Sequence, residues 1–333
     1  MIDLTTMPMR TLGRGGPTVS MLALGTMTFG VEACEATSHA QLDRFVERGG
    51  TLIDTADVYA GGESEAIIGR WSARRGGMDD LIVGTKGRFG PTPGSAGASR
   101  RAVRRSLDAS LRRLGIDAVD LYFIHGWDED TAVADTLDVL GDLRREGKLH
   151  HVGWSNVTGW QLERIVRTAE ANGLPVPCAL QPQYNLLDRG IEMEVLPCAL
   201  ENGIGLTPWS PLGGGWLTGK YGADERPSGD TRLGVDPDRG VEAYDRRNSE
   251  RTHAILAGLS KVANRHDRPP AQVALAWLLS RPGVASVLLG ARTTELLEGN
   301  LDAAELTLTQ LSTKRSTPRS RLPTLHRFSS SAS

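Results

Sequence analysis

Apolar and polar positions alternate in blocks along this chain. Short apolar runs stand at 21–25 (MLALG), 51–55 (TLIDT), 81–85 (LIVGT), 120–125 (DLYFIH), 150–155 (HHVGWS), 178–181 (CALQ), 205–210 (GLTPWS) and 285–291 (ASVLLGA). Between them lie stretches with helical spacing. In SRRAVRRSLDASLRRLG, Val103, Leu107, Leu111 and Leu114 recur every three or four residues. SHAQLDRFVERGG, TLDVLGDLRREGK, GWQLERIVRTAEANG and PPAQVALAWLLSRPG have the same character, the last opening on prolines and closing on Pro-Gly. Eight strands alternating with helices predict a parallel sheet, and eight such units in about 270 residues predict a single (β/α)8 barrel. A doubly wound nucleotide-binding sheet is the rival, but no GxGxxG follows the first strand and no GxxxxGK[ST] occurs.

Three segments fall outside the alternation. The start, MRTLGRGGPTVS, predicts a hairpin of two short strands around Gly-Gly-Pro. Residues 218–248, after strand seven, are polar and rich in Gly, Pro and Asp, which predicts a long functional loop. The barrel is expected to span 1–313. The last segment, 314–333, holds five Lys/Arg, no acid, six Ser and two Pro, and is expected to be disordered. Translation from a shifted frame is the hypothesis for this tail, and resequencing the gene tests it.

Composition narrows the function. The 333 residues carry a net charge of −2, or −7 without the basic tail. That gives no electrostatic case for nucleic acid. No apolar run approaches the roughly 20 residues that span a bilayer, and the start has no signal-peptide core. Three cysteines without CxxC pairing fit a reducing cytoplasm, so a cytoplasmic protein is expected. The seven histidines show no HxH or HExxH spacing, which argues against a metal-dependent hydrolase and for no metal.

Barrel chemistry sits at the C-terminal ends of strands. Those ends supply Asp54, Lys86, His125, Ser155-Asn156, Gln181, Trp209-Ser210 and Gly290-Arg292, spaced 26 to 39 residues apart through Trp209. Each alone has an ordinary reading as a helix cap, a solvated charge or a packed group. Together they suggest acid catalysis. Tyr59 follows strand two closely enough to lean over the mouth. A phenol has a pKa of about 10, which an adjacent ammonium (Lys86), held by a carboxylate (Asp54), is expected to lower. The phenol then donates its proton to a carbonyl oxygen gaining negative charge, with His125 adding a hydrogen bond. No side chain at these ends suits the role of nucleophile. A hydride from a reduced nicotinamide does. Ser155, Asn156 and Gln181 can bond its carboxamide, and Trp209 offers the ring a flat face. The glycines of SPLGGGWLTGK with Lys220, and Arg292 at a helix start, suit phosphates, including the 2′-phosphate that only NADP(H) carries. Trp127 is read as an aromatic wall for substrate or as plain packing. Glu63 and Glu65 are read as the first turn of the next helix, and His150-His151 as the far end of a strand.

ALGTMTFG, IDTADVY, VGTKGR, DLYFIH, GWSN, QPQYNLLDR, TPWSPLGGGWLTGKY and GARTTELLEGN, in this order over residues 9 to 308, resemble the aldo-keto reductase superfamily in its bacterial and potassium-channel β-subunit-like branch. The resemblance implies a (β/α)8 barrel that reduces aldehydes or ketones with NADPH, keto-sugars and natural-product intermediates included. It puts the catalytic tetrad on Asp54, Tyr59, Lys86 and His125. Cofactor contacts carry over to Thr26, Met27, Asp54, Ser155, Asn156, Gln181, Trp209, Ser210, Pro211, Leu212, Gly214, Lys220, Arg232, Gly290, Arg292 and Asn300. It makes residues 218–248 a lid. Leu296 and Gly299 depart from the branch, which has Gln and an acid there, at the adenosine end. The implied partner is a small carbonyl compound, with homo-oligomer formation open. The alternative is a slow or non-catalytic NADPH-binding, redox-sensing subunit of a complex.

Overall fold

The computed structural model describes residues 7–90, 96–229 and 231–308. The basic tail and its expected disorder lie outside them. A hairpin of β1 (Met9–Thr11) and β2 (Thr18–Ser20) precedes eight parallel strands: β3 (Leu22–Gly25), β4 (Leu52–Asp54), β5 (Ile82–Gly87), β6 (Val119–Ile124), β7 (Leu149–Ser155), β8 (Ala179–Gln181), β9 (Gly205–Leu206) and β10 (Val287–Leu289). Each lies beside its sequence neighbour, and β10 pairs with β3. The eight strands start within two residues of the apolar runs that predict them. Strand β9 is shorter than its run, because the Pro208 nitrogen has no hydrogen to donate to a ladder. The sheet closes there through a parallel Leu206–Val284 bridge and a bond from the Leu288 N–H to the Pro208 carbonyl at 3.2 Å.

Helices α1 (Glu35–Glu47), α2 (Glu63–Arg75), α3 (Arg100–Leu114), α4 (Val133–Arg145), α5 (Gly159–Ala171) and α6 (Val195–Glu201) follow β3 to β8 in turn. Two single-turn helices, α7 (Arg232–Val235) and α8 (Tyr244–Arg247), then precede α9 (Glu250–His266) and α10 (Pro270–Leu279), and α11 (Thr294–Leu301) follows β10. Local chemistry sets the ends. Ser99 caps α3 by accepting from the Ala102 N–H, and Gly115 ends it with a left-handed φ of 69°. Val103, Leu107, Leu111 and Leu114 form its buried face.

The pleat sends alternate residues to opposite faces. In β6, Leu121 and Phe123 fill the barrel interior with Ala23, Leu52, Ala179 and Leu288, while Tyr122 and Ile124 join the layer under the helices. The hairpin plugs the end where the strands begin. Leu12 and Val19 enter the interior cluster, and the Arg14 N–H bonds the Gly203 carbonyl at 2.7 Å. Gly13 is required there. Its φ is 69°, and a Cβ would come within 2.1 Å of the Cys178 carbonyl oxygen. The cavity lies at the other end, where the strand termini open.

The segment 218–248 is not wholly irregular, because it contains α7, α8 and a 3₁₀ turn at Gly240–Glu242. Trp216 anchors it, stacking on Tyr244 and meeting Tyr221 edge-on. Among the described residues no helix is long and apolar enough to cross a membrane.

Candidate active site

Asp54 is the last residue of β4, Lys86 the fifth of six in β5, and His125 directly follows β6. Tyr59 opens the 3₁₀ turn Tyr59–Gly62 and is tied back by its N–H to the Ala56 carbonyl at 3.1 Å. The four meet at one point. Lys86 Nζ donates to Asp54 Oδ2 at 2.5 Å, to the Thr55 carbonyl at 2.8 Å and to the Tyr59 hydroxyl at 3.2 Å. Those three acceptors use all three ammonium hydrogens. Gln181 Nε2 donates to the other Asp54 oxygen at 2.8 Å. The His125 ring stands edge-on to Tyr59, with centroids 6.1 Å apart.

Lys86 is fully buried and Asp54 is 3% exposed. Burial works against the Lys86 ammonium, but Asp54 and Tyr59 outweigh it and its pKa lies above the ordinary value. For Tyr59 the outcome reverses the sequence expectation. Burial raises the phenol above its ordinary value, and the opposing pull of Lys86 does not overcome it. The sequence showed the ammonium but not how closely the protein packs around the ring. Tyr59 is therefore held firmly protonated. Burial, then Lys86 and Arg88, push His125 down to about 3, so its ring is neutral at physiological pH.

From this point a cavity of about 780 Å³ runs across the strand ends. Asp54, Tyr59 and His125 line one part, and Lys86 lies beneath. Every other residue assigned to cofactor lines it as well: Thr26, Met27, Ser155, Asn156, Gln181, Trp209, Ser210, Pro211, Leu212, Gly214, Lys220, Arg232, Gly290, Arg292 and Asn300. Asn156, at a left-handed φ of 54°, joins two walls. Its amide donates to the His125 carbonyl at 3.1 Å and accepts from Trp209 Nε1 at 3.0 Å. Trp127 is not among the lining residues. It packs edge-on against Trp160 at 5.4 Å, and its carbonyl accepts from Arg88.

A sequence model of the family described as "Aldo/keto reductase family" matches residues 21–317. The chain belongs to the aldo/keto reductase family. It is 34% identical to Protein tas of Escherichia coli over 88% of this chain and 91% of that protein. It is 33% identical to norsolorinic acid reductase stcV of Emericella nidulans, over 86% of this chain and 74% of that protein. It is also 33% identical to a probable voltage-gated potassium channel subunit beta of Arabidopsis thaliana, over 90% and 92%. The chain is thus an oxidoreductase of a family that uses nicotinamide cofactors.

The cavity fits a cofactor of this family. Amide and hydroxyl groups (Ser155, Asn156, Gln181) line it beside the buried ammonium, and cations (Lys220, Arg232, Arg292) line it beyond. Sequence reasoning missed what holds its roof. Glu32, in the loop after β3, pairs with Arg239 at 2.5 Å and with Arg232 at 3.7 Å. Buried Glu242 pairs with Arg232 at 3.2 Å and accepts from the Ser210 hydroxyl. Gln272 Nε2 donates to the Gly299 carbonyl at 2.7 Å, tying α10 to α11 beside the cavity. Leu296 and Gly299, the two departures, both line the cavity. Only charge signalled Glu32, Arg239 and Glu242, and charge alone does not name a partner. Glu63 and Glu65 do open α2, but Glu65 is buried and bonds Thr85 and Arg113. Among the described residues no group of three His, Cys, Asp or Glu could hold a metal ion.

Proposed function

We propose that this chain reduces an aldehyde or ketone to an alcohol with NADPH, Tyr59 giving the proton. The observation that carries this is the Lys86 ammonium shared between Asp54, the Thr55 carbonyl and the Tyr59 hydroxyl at one part of a cavity that extends to Arg292. When bound, the cofactor supplies a hydride. The protein's share is the proton and the charge.

Tyr59 holds its proton until a carbonyl oxygen beside it begins to carry negative charge. As the proton leaves, the phenolate forms 3.2 Å from Lys86 Nζ, where the ammonium stabilises it. Asp54 keeps that ammonium charged and aimed. Neutral His125 gives no net charge and serves as a hydrogen-bond donor to the same oxygen. Ser155, Asn156 and Gln181 would hold the carboxamide, Trp209 would offer the ring a flat face, and Ser210, Gly214, Lys220 and Arg232 would serve the pyrophosphate. Arg292 selects the 2′-phosphate, so NADPH binds more tightly than NADH. Keto-sugars and natural-product intermediates fall within the proposed substrate class.

The roof pairs Glu32–Arg239 and Glu242–Arg232 favour one further reading, a subunit that holds its cofactor and turns over slowly. NADPH oxidation against a carbonyl panel, with Tyr59→Phe alongside, separates the two. Turnover lost in Tyr59→Phe supports the reductase. Cofactor binding without oxidation in either protein supports the slow binder.

A further inference from the structure

Asp57 lies two residues before Tyr59, is 1% exposed and has no part in the chemistry above. Its surroundings tie together the elements that carry the tetrad. Its backbone N–H donates to the Lys86 carbonyl at 3.0 Å. Its carboxyl Oδ2 accepts from Ser106 Oγ of α3 at 2.6 Å. That hydroxyl accepts in turn from Tyr122 of β6 at 3.1 Å, three residues before His125. The network fits because residue 87 is glycine. A Cβ there would lie 2.1 Å from the Tyr122 oxygen and 2.3 Å from Ser106 Oγ. Gly87 also accepts the His125 N–H at 2.9 Å. One buried residue thus links the Tyr59 turn to β5 through its backbone N–H, and to α3 and β6 through its carboxyl.

We propose that Asp57 is a positioning residue for the reaction, its carboxyl holding the Tyr59 turn, through Ser106 and Tyr122, against α3 and the strand that leads to His125. The inference rests on the reading of Tyr59 as proton donor. It has a pH signature. The other carboxyl oxygen, Oδ1, is buried without a hydrogen-bond partner, and burial pushes Asp57 up to about 6. The charged and titratable groups around it are Glu65 of α2, which raises it further, Arg113 of α3, which lowers it, Tyr122 of β6, Lys86 of β5, and Asp54 and Tyr59 on its own side. Above pH 6 the Asp57 anion makes Tyr59 a weaker acid.

The test uses NADPH with 4-nitrobenzaldehyde and 9,10-phenanthrenequinone as probes, on wild type, Asp57→Ala, Asp57→Asn and Ser106→Ala. Loss of the Asp57–Ser106 bond is expected to lower kcat about tenfold to a hundredfold, the scale of a small misplacement, with NADPH affinity unchanged. Asp57→Asn keeps an acceptor oxygen and is expected to recover most of kcat. Wild-type kcat is expected to step down as pH rises through about 6, and the step to vanish in Asp57→Asn. A readout without turnover is the ¹³Cζ resonance of Tyr59 in the cofactor-free protein, assigned with Tyr59→Phe. It is expected to move across the same pH window in wild type and to stay flat in Asp57→Asn. Wild-type kcat in Asp57→Ala and Ser106→Ala, or a Tyr59 resonance unchanged through pH 6 in wild type, overturns the inference. Failure of wild type to oxidise NADPH with any carbonyl overturns the reductase reading instead, and the resonance then decides Asp57 alone.

Discussion

The Lys86 ammonium and the Asp54 carboxylate lie 2.5 Å apart with almost no solvent on either. Such a pair is worth little as a stabiliser, yet removing one partner is costly because the other charge stays buried. Lys86→Met is expected to lose about 3–5 kcal/mol of stability as well as activity. Asp54→Asn is expected to lower the Lys86 pKa. Urea unfolding and kcat, measured on both, check this.

His125 gives a pH prediction with a definite sign. Its pKa is about 3 folded against 6.5 for an ordinary histidine. Between those values the unfolded chain binds more protons, so stability rises with pH across the window. The contribution is fully present above 6.5 and is lost as pH falls toward 3. At about 1.4 kcal/mol per pKa unit it amounts to several kcal/mol. His125→Gln is expected to flatten that part of the curve of unfolding free energy against pH. Carbonyl reduction is expected to show no histidine limb near 6.5.

Asp57 has the opposite sign. Its pKa is about 6 folded against 3.8 unperturbed, so its contribution is full below 3.8 and lost as pH rises to about 6. Asp57→Asn is expected to be more stable than wild type at pH 7 and less favoured at pH 4. Urea titrations at the two values check it.

Glu32, in the loop after β3, joins Arg239 and Arg232 of the 218–248 segment across the cavity they line. Glu32→Gln is expected to speed NADPH release several-fold, with kcat rising if release limits turnover. Stopped-flow displacement of NADPH measures it.

Gly87→Ala places a methyl where the Tyr122 and Ser106 oxygens already meet. Overpacking of this kind costs about 1–3 kcal/mol. The expected result is a lower melting temperature together with a fall in kcat. Unchanged stability would contradict the packing described for β5, β6 and α3.

The barrel was legible because each strand is a short apolar run and each helix a 3.6-residue pattern. The meeting of Asp54, Lys86 and His125 was legible because a barrel gathers strand ends, so each needed only its place in the rhythm. The Glu32–Arg239 pair was not, since 207 residues separate its members and neither stands at a strand end. The Asp57–Ser106–Tyr122 chain was hidden for a similar reason. Its members sit on a turn, a helix and a strand, and a serine or tyrosine in an apolar pattern looks like packing. The acidity of Tyr59 was misjudged because sequence names its neighbours but does not measure its burial. Trp127 followed His125 closely, yet its ring turned to Trp160.

The most direct measurement is NADPH oxidation by wild type and Tyr59→Phe across a carbonyl panel, with NADPH affinity of both followed by fluorescence. Loss of the proton donor is expected to cut kcat by about a hundredfold or more while binding stays intact, the range for removing a general acid. Equal oxidation by the two proteins would contradict Tyr59 as the source of the proton.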